Sequence, residues 1–400
     1  MNILFLTLLD FETIYEKGIY TDLMREFMRN DHDIYIISPT EKRKNMPTKL
    51  LDFGKYKILK LQIGNIQKTG IMEKGISTLT LENKFKKAIQ TYFRNIKFDL
   101  VIYSTPPITL QKSVEYVKRR DNAKSYLLLK DIFPQNAVDL GMLKYNGLLF
   151  KYFRYKEKKL YAESDYIGCM SQANIDFILR HNSDFISRKI EICPNSIEIA
   201  SINKDIKKRE KIKLKYNIPN DKVIFIYGGN LGKPQGIDFL LECLKSNLNN
   251  GKVYFILAGS GTEYYKLENF MVEYKPNNVL LLAQLSKSDY EILVNSCDVG
   301  LIFLDNRFTI PNFPSRILSY MQASIPILAA TDKSTDIGKV IETGNFGYWC
   351  ESNNTEKFNE KLNLLCDRKT REIMGNNALK YLNNNYTSRH SYDIIMNHFE

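Results

Sequence analysis

Short, uninterrupted apolar runs recur along this chain, separated by amphipathic stretches of helical period. This alternation constrains the fold most. Strands apolar on both faces need cover on both sides, and parallel sheets wound with crossover helices supply it. In the first half Ile3–Leu9, Ile34–Ser38, Asp99–Ser104, Tyr126–Lys130, Tyr166–Ser171 and Ile190–Cys193 read as strands. In the second half Val223–Tyr227, Val253–Ala258, Val279–Ala283, Val299–Leu304 and Ile325–Ala330 repeat the theme. Between the halves, Ile197–Asn220 is polar, lysine-rich and without strand signal. Four hundred residues also exceed one compact core. The expectation is an α/β protein of two Rossmann-like doubly wound domains facing a cleft. The first spans 1–197, a linker 198–220, the second domain 221–385, and a C-terminal helix at 386–400 is placed to pack back on the first. No Gly-x-Gly-x-x-Gly follows the first strand, which disfavours a nicotinamide dinucleotide.

Three turns in the second half have the composition of a phosphate site. After Val223–Tyr227 comes Gly228-Gly229-Asn230-Leu231-Gly232-Lys233-Pro234-Gln235-Gly236, then an amphipathic helix from Ile237. Glycines let backbone approach a ligand, the helix start presents free N–H groups, and Lys233 adds a cation. The same pattern also fits an ordinary strand–helix turn. Gly259-Ser260-Gly261 follows the next strand and is weaker on its own. In Phe313-Pro314-Ser315-Arg316, proline and serine open a helix with Ser315 as candidate N-cap. A cation at Arg316 opposes the helix dipole unless an anion binds there or the side chain turns to solvent.

The net charge of +12 is uneven, about +9 in residues 1–200 and +3 in the rest. A basic half suits nucleic acid, anionic lipid or a phosphorylated substrate, and biased composition gives the same balance. Phe85, Ala88, Ile89, Tyr92, Phe93 and Ile96 fall at helical spacing among Lys84, Lys86, Lys87, Arg94 and Lys97. Leu148–Lys159 is similarly basic and aromatic. Each reads either as a helix packed on the sheet or as a face for anionic membrane. No nucleic-acid module is recognisable, so nucleic acid is not expected as a partner. The six cysteines form no Cys-x-x-Cys pair and the four histidines no metal-ligand spacing, so no structural metal is expected. Met1–Asp10 reads as a buried strand rather than a leader, and no apolar run reaches about 20 residues, so a cytoplasmic protein is expected.

Seven stretches in order resemble the retaining GT-B glycosyltransferases of family 4, over nearly the whole chain. They are Ser104-Thr105-Pro106-Pro107, Asp131-Ile132-Phe133-Pro134, Pro194-Asn195-Ser196-Ile197, Gly229-Asn230-Leu231-Gly232 with Gln235-Gly236, Leu257–Gly261, Ser296–Gly300, and Pro314-Ser315-Arg316 with Ser319-Tyr320. The branch it looks closest to serves capsule and O-antigen polysaccharides and includes N-acetyl-L-fucosamine transferases. The resemblance implies a nucleotide-sugar donor in the C-terminal domain, expected to be a UDP-sugar, and no obligatory metal. It also implies a polyprenyl-diphosphate-linked glycan acceptor on the N-terminal domain and work at the inner face of the cell membrane. Donor-binding residues are then Gly18, Asn230, Lys233, Gln235, Gly259, Gly261, Pro314, Ser315, Arg316 and Ser319, with Asp131 and Lys130 catalytic. The sequence departs from the pattern in three places. The family's two glutamates, separated by seven residues, fall on Pro311 and Ser319; its active-site histidine falls on Lys130; and Asn230 stands where many members have arginine. An epimerase of the same fold, and a nucleotide-sugar-binding protein that does not transfer, are the alternatives.

Overall fold

The computed structural model describes residues 1–66, 71–182, 189–199 and 206–399. The chain divides into two compact units, one of Met1–Glu198 with Ser388–Glu400 and one of Ile199–Thr387. The first unit holds strands β1 (Asn2–Leu6), β2 (Asp33–Glu41), β3 (Lys49–Asp52), β4 (Tyr56–Ile63), β5 (Leu100–Ser104), β6 (Lys124–Leu129), β7 (Tyr166–Cys169) and β8 (Lys189–Ile192). They form one sheet in the order β3-β4-β2-β1-β5-β6-β7-β8, parallel except for the antiparallel β3–β4 pair. The second unit holds β9 (Val223–Asn230), β10 (Val253–Ser260), β11 (Val279–Leu282), β12 (Val299–Phe303), β13 (Ile327–Thr331) and β14 (Gly347–Glu351). These run parallel in the order β11-β10-β9-β12-β13-β14. Both units are thus doubly wound, and in each the winding reverses direction once, between β1 and β5 and between β9 and β12. Ligands of such sheets bind at the carboxyl ends of the strands where the order reverses.

Elements without a continuous apolar signal went unread. β4 carries Lys57 and Lys60 within it, yet Lys60 is buried, its ammonium bonded to the Asp10 carboxylate and to the Phe11 carbonyl oxygen at 2.9 Å. A paired buried lysine lets a polar residue occupy an inner strand. β14 begins at Gly347, whose added Cβ would lie 2.0 Å from the Ile327 carbonyl oxygen, so close strand approach requires glycine there.

Two boundaries differ from expectation. Within the lysine-rich stretch 198–220, Ile206–Lys215 is helical, with Ile212 and Ile218 buried at that end of the second unit. The short helix Gln135–Asp139 starts directly after Pro134, where a missing N–H costs nothing. Ser315 stands at the N-cap of Arg316–Gln322, but its side chain makes no capping bond. The C-terminal helix Ser388–Met396 is part of the first unit, against Ile19–Arg29. Tyr392 meets Phe27 edge-on at 4.9 Å, and its hydroxyl lies 3.1 Å from His32 Nε2.

The helix Ile71–Tyr92 turns its apolar stripe inward. Phe85, Ala88 and Ile89 are buried, as is Phe93 just beyond it, against Tyr35 and Phe98. The spacing at 85, 88, 89 and 93 therefore belongs to the core of the first unit.

Candidate functional site

In the second unit the reversal between β9 and β12 gathers a cation and its supports. Arg316, first residue of Arg316–Gln322, does not turn to solvent. Its guanidinium lies over the Tyr227 ring at 4.3 Å and donates from Nη2 to Gln235 Oε1 at 2.6 Å. Tyr227 in turn donates to the Asn230 carbonyl oxygen at 2.7 Å and lies 3.1 Å from Gln235 Oε1. Tyr227 and Gln235 are both neutral, and Arg316 Nη1 is buried without any hydrogen-bond partner. A buried guanidinium with one arm bare and no counter-charge is costly unless an anion completes it.

The backbone beside Arg316 is kept clear. Gly229 has φ +118°, open to glycine, and an added Cβ would stand 3.8 Å from the guanidinium. At Gly228 a Cβ would run into the Tyr290 hydroxyl at 2.1 Å, and that hydroxyl is itself buried and unpartnered. Tyr227, in β9, and Tyr290, in the helix Lys287–Val294, escaped the sequence reading because a tyrosine in either element is also ordinary core.

Other expected donor residues take different places. Lys233 lies in the short helical turn Lys233–Gln235, exposed to solvent, and Asn230 is exposed on the end of β9. Pro314, Ser315 and Ser319 flank Arg316 along the chain, Ser315 exposed and Ser319 half-buried. Gly259 and Gly261 have a packing reason. A Cβ at Gly259 would come 1.9 Å from the Gly229 carbonyl oxygen, and one at Gly261 2.3 Å from the Leu231 backbone. They let β10 and the loop after it lie close beside the end of β9. Gly259→Ala should therefore destabilise the second unit by about 3 kcal/mol, the upper range of overpacking, lowering its melting temperature by roughly 6–12 °C in calorimetry. An unchanged transition would show that the loop after β9 gives way freely.

In the first unit the loops after β5 and β6 meet through Thr105. Its Oγ1 accepts from the backbone N–H of Lys130 at 2.9 Å and of Asp131 at 3.2 Å, and lies 3.2 Å from the Asp131 carbonyl oxygen. Lys130 directs its ammonium to the Cys193 carbonyl oxygen at 2.9 Å. Asp131 instead accepts from Asn136 Nδ2 at 2.8 Å. Burial pushes the Asp131 carboxyl up to about 6, against the pull of bonds from the Ile132 N–H and Asn136. Burial likewise lowers the Lys130 ammonium to about 8. A carboxyl and an ammonium both moved toward neutrality, at the carboxyl end of a strand, are what a reacting site uses. Asn136 carried no sequence signal for this role, since only the turn after Pro134 brings it onto Asp131.

Gly18 precedes Ile19–Arg29, and its N–H is already taken by Asp22 Oδ1 at 3.0 Å. Arg25 holds the preceding loop through the Ile14 and Glu16 carbonyl oxygens and pairs with Asp22 and Glu198. The start of this helix is thus committed in part to its own acidic residue.

Residues 208–381 match the family described as "Glycosyl transferases group 1". A curated relative, "Probable glycosyltransferase WbjE" of Pseudomonas aeruginosa, is 22% identical over 311 residues, covering 75% of this chain and 74% of that protein. Among solved structures, "Trehalose-6-phosphate from E. coli bound with UDP-2-fluoro glucose" superposes with a TM-score of 0.75 at 11% identity, covering 99% of this chain and 98% of that one. The Anabaena HepE structure "in complex with UDP and glucose" gives 0.67 at 15% identity, covering 100% and 99%. These likenesses, with two parallel doubly wound sheets, make the fold GT-B.

Proposed function

We propose, from the premise that the second unit matches glycosyl transferases group 1 along most of its length, that this protein moves a sugar from a nucleotide donor to an acceptor with retention. The observation that carries the reading is the bare, buried Nη1 of Arg316 beside Gly229. A donor diphosphate supplies the missing acceptor atoms and the counter-charge. Exposed Lys233 adds a second, mobile cation, so leaving-group charge is met by protein cations and no metal is required. A UDP-sugar is the donor; the HepE complex with UDP and glucose supports that choice. The acceptor is a polyprenyl-diphosphate-linked glycan at the membrane, in making a bacterial capsule or O-antigen polysaccharide. WbjE, named a probable glycosyltransferase, supports the transferase reading.

In the proposed reaction the bond from the anomeric carbon to the diphosphate oxygen breaks, and the acceptor hydroxyl oxygen bonds to that carbon from the same face. The hydroxyl proton passes to the departing phosphate oxygen. Asp131 orients the acceptor and stabilises positive charge developing on the sugar ring. Among the described residues no helix is long and apolar enough to cross a membrane.

Thermal shift against a panel of nucleotide sugars tests the donor. A true donor at 100 times its Kd adds about 2.7 kcal/mol, a rise of roughly 5–11 °C for a unit of this size. Transfer from that donor should persist in EDTA. A panel without any shift overturns the donor reading. Interconversion of free nucleotide sugars without transfer would select the epimerase, and binding without turnover the non-transferring protein.

A further inference from the structure

The helix Leu148–Glu163 has apolar residues on both faces. Phe150, Leu160 and Tyr161 are buried in the first unit. The opposite side and the turn before it are bare: Leu148 is 89% exposed, Leu149 62%, Tyr155 54%, Met142 61% and Tyr145 60%. Single exposed apolar side chains are ordinary on a protein surface; this many within one turn and the adjoining helix make a patch.

Charge narrows what covers it. From Leu140 to Lys156 the sequence has four cations and neither Asp nor Glu. Glu157 and Glu82 engage Arg154 and Lys156, while Lys144 and Lys151 stand exposed beside the patch. Further along, Lys159 Nζ sits 4.8 Å above the Tyr155 ring. A second copy in a two-fold contact would bring these lysines against each other. An anionic bilayer meets both features, since aliphatic tips enter the acyl boundary while tyrosines and lysines stay among the headgroups. The other basic helix, Ile71–Tyr92, keeps Phe85, Ala88 and Ile89 in the core, so it has cations without a matching set of side chains to insert.

We infer that the turn at Met142–Gly147 and the start of Leu148–Glu163 dock on an anionic lipid surface, with Leu148 and Leu149 inserted. This deepens the membrane part of the proposed function and rests on it. The test uses the full chain and vesicles of phosphatidylcholine with or without phosphatidylglycerol, free of any glycolipid. Wild type should co-sediment only with the anionic vesicles and release at high salt. Leu148→Glu with Leu149→Glu should cut the bound fraction about tenfold and leave UDP binding in solution unchanged, whereas Lys86→Glu, Lys87→Glu and Arg94→Glu together should cut it much less. Leu149→Trp adds one indole to a chain whose single tryptophan, Trp349, lies in the second unit, and its emission should shift to the blue on anionic vesicles. Wild type indifferent to anionic vesicles overturns this inference and the membrane reading together. Binding that survives Leu148→Glu with Leu149→Glu, or that only the Lys86, Lys87 and Arg94 variant abolishes, overturns this inference alone. Conversion of an oligomer to a monomer by Leu148→Glu with Leu149→Glu also overturns it, in favour of a second copy.

Discussion

Asp131→Asn lowers the rate of sugar transfer by about 10²-fold or more, the scale of losing one electrostatic stabiliser, with little change in donor affinity. The substitution keeps the shape and the contact with Asn136 and removes only the charge. The pH dependence is specific. With Asp131 at about 6 and Lys130 at about 8, the wild-type rate rises through pH 6 as the carboxyl ionises and falls above pH 8 as the ammonium discharges. The asparagine variant loses the acidic limb and keeps the alkaline one. Stability moves in the opposite sense to activity. The Asp131 pKa is raised from 3.8 to about 6 in the fold, so the fold favours the protonated group. Its contribution is fully present below about pH 4 and is lost as pH rises through 6. Above that, ionised Asp131 costs up to about 3 kcal/mol, which Asn removes. The variant should melt a few degrees higher at neutral pH and no differently near pH 3. A variant that melts early, or transfers at the normal rate, would make Asp131 a loop staple through Asn136 and Ile132.

Arg316→Ala weakens UDP binding about 100-fold and uridine binding less than about threefold, measured by calorimetry. Charge-assisted bonds to a diphosphate contribute about 1.5–3 kcal/mol each, and tenfold corresponds to about 1.4 kcal/mol. Arg316→Lys keeps a charge but not the planar fork that stacks on Tyr227 and reaches Gln235, and should recover only part of the affinity. Lys233→Ala, at an exposed cation, should cost about tenfold. The ligand-free melting temperature separates function from packing. Alanine at 316 loses a cation–π contact and a hydrogen bond but also removes a buried charge without a counter-ion, so the two effects oppose and stability should change little. Equal losses for uridine and UDP, or a collapse of the ligand-free protein, would make Arg316 a packing residue.

Much of the architecture was legible along the chain because its cause is local. A strand buried on both faces must be apolar throughout, so β1, β2, β5 to β7, β9, β10, β12 and β13 announce themselves as short hydrophobic runs. The glycines at the end of β9 and the odd cation at Arg316 were visible for similar reasons, since backbone freedom and helix-dipole conflict are properties of a few neighbouring residues. What was hidden depends on partners distant in sequence. Lys60 becomes an inner-strand residue because Asp10 neutralises it, and Gly259 is glycine because the Gly229 carbonyl oxygen lies where its side chain would be. Tyr392 carries the last helix into the first unit through Phe27 and His32. Two basic aromatic helices of similar composition have opposite fates: Tyr35 and Phe98 close around the Phe93 end of one, while none of the described residues covers Leu148 on the other. Composition sets which residues gain by leaving water, but burial is shared between surfaces, and only the folded sheet fixes which surfaces meet.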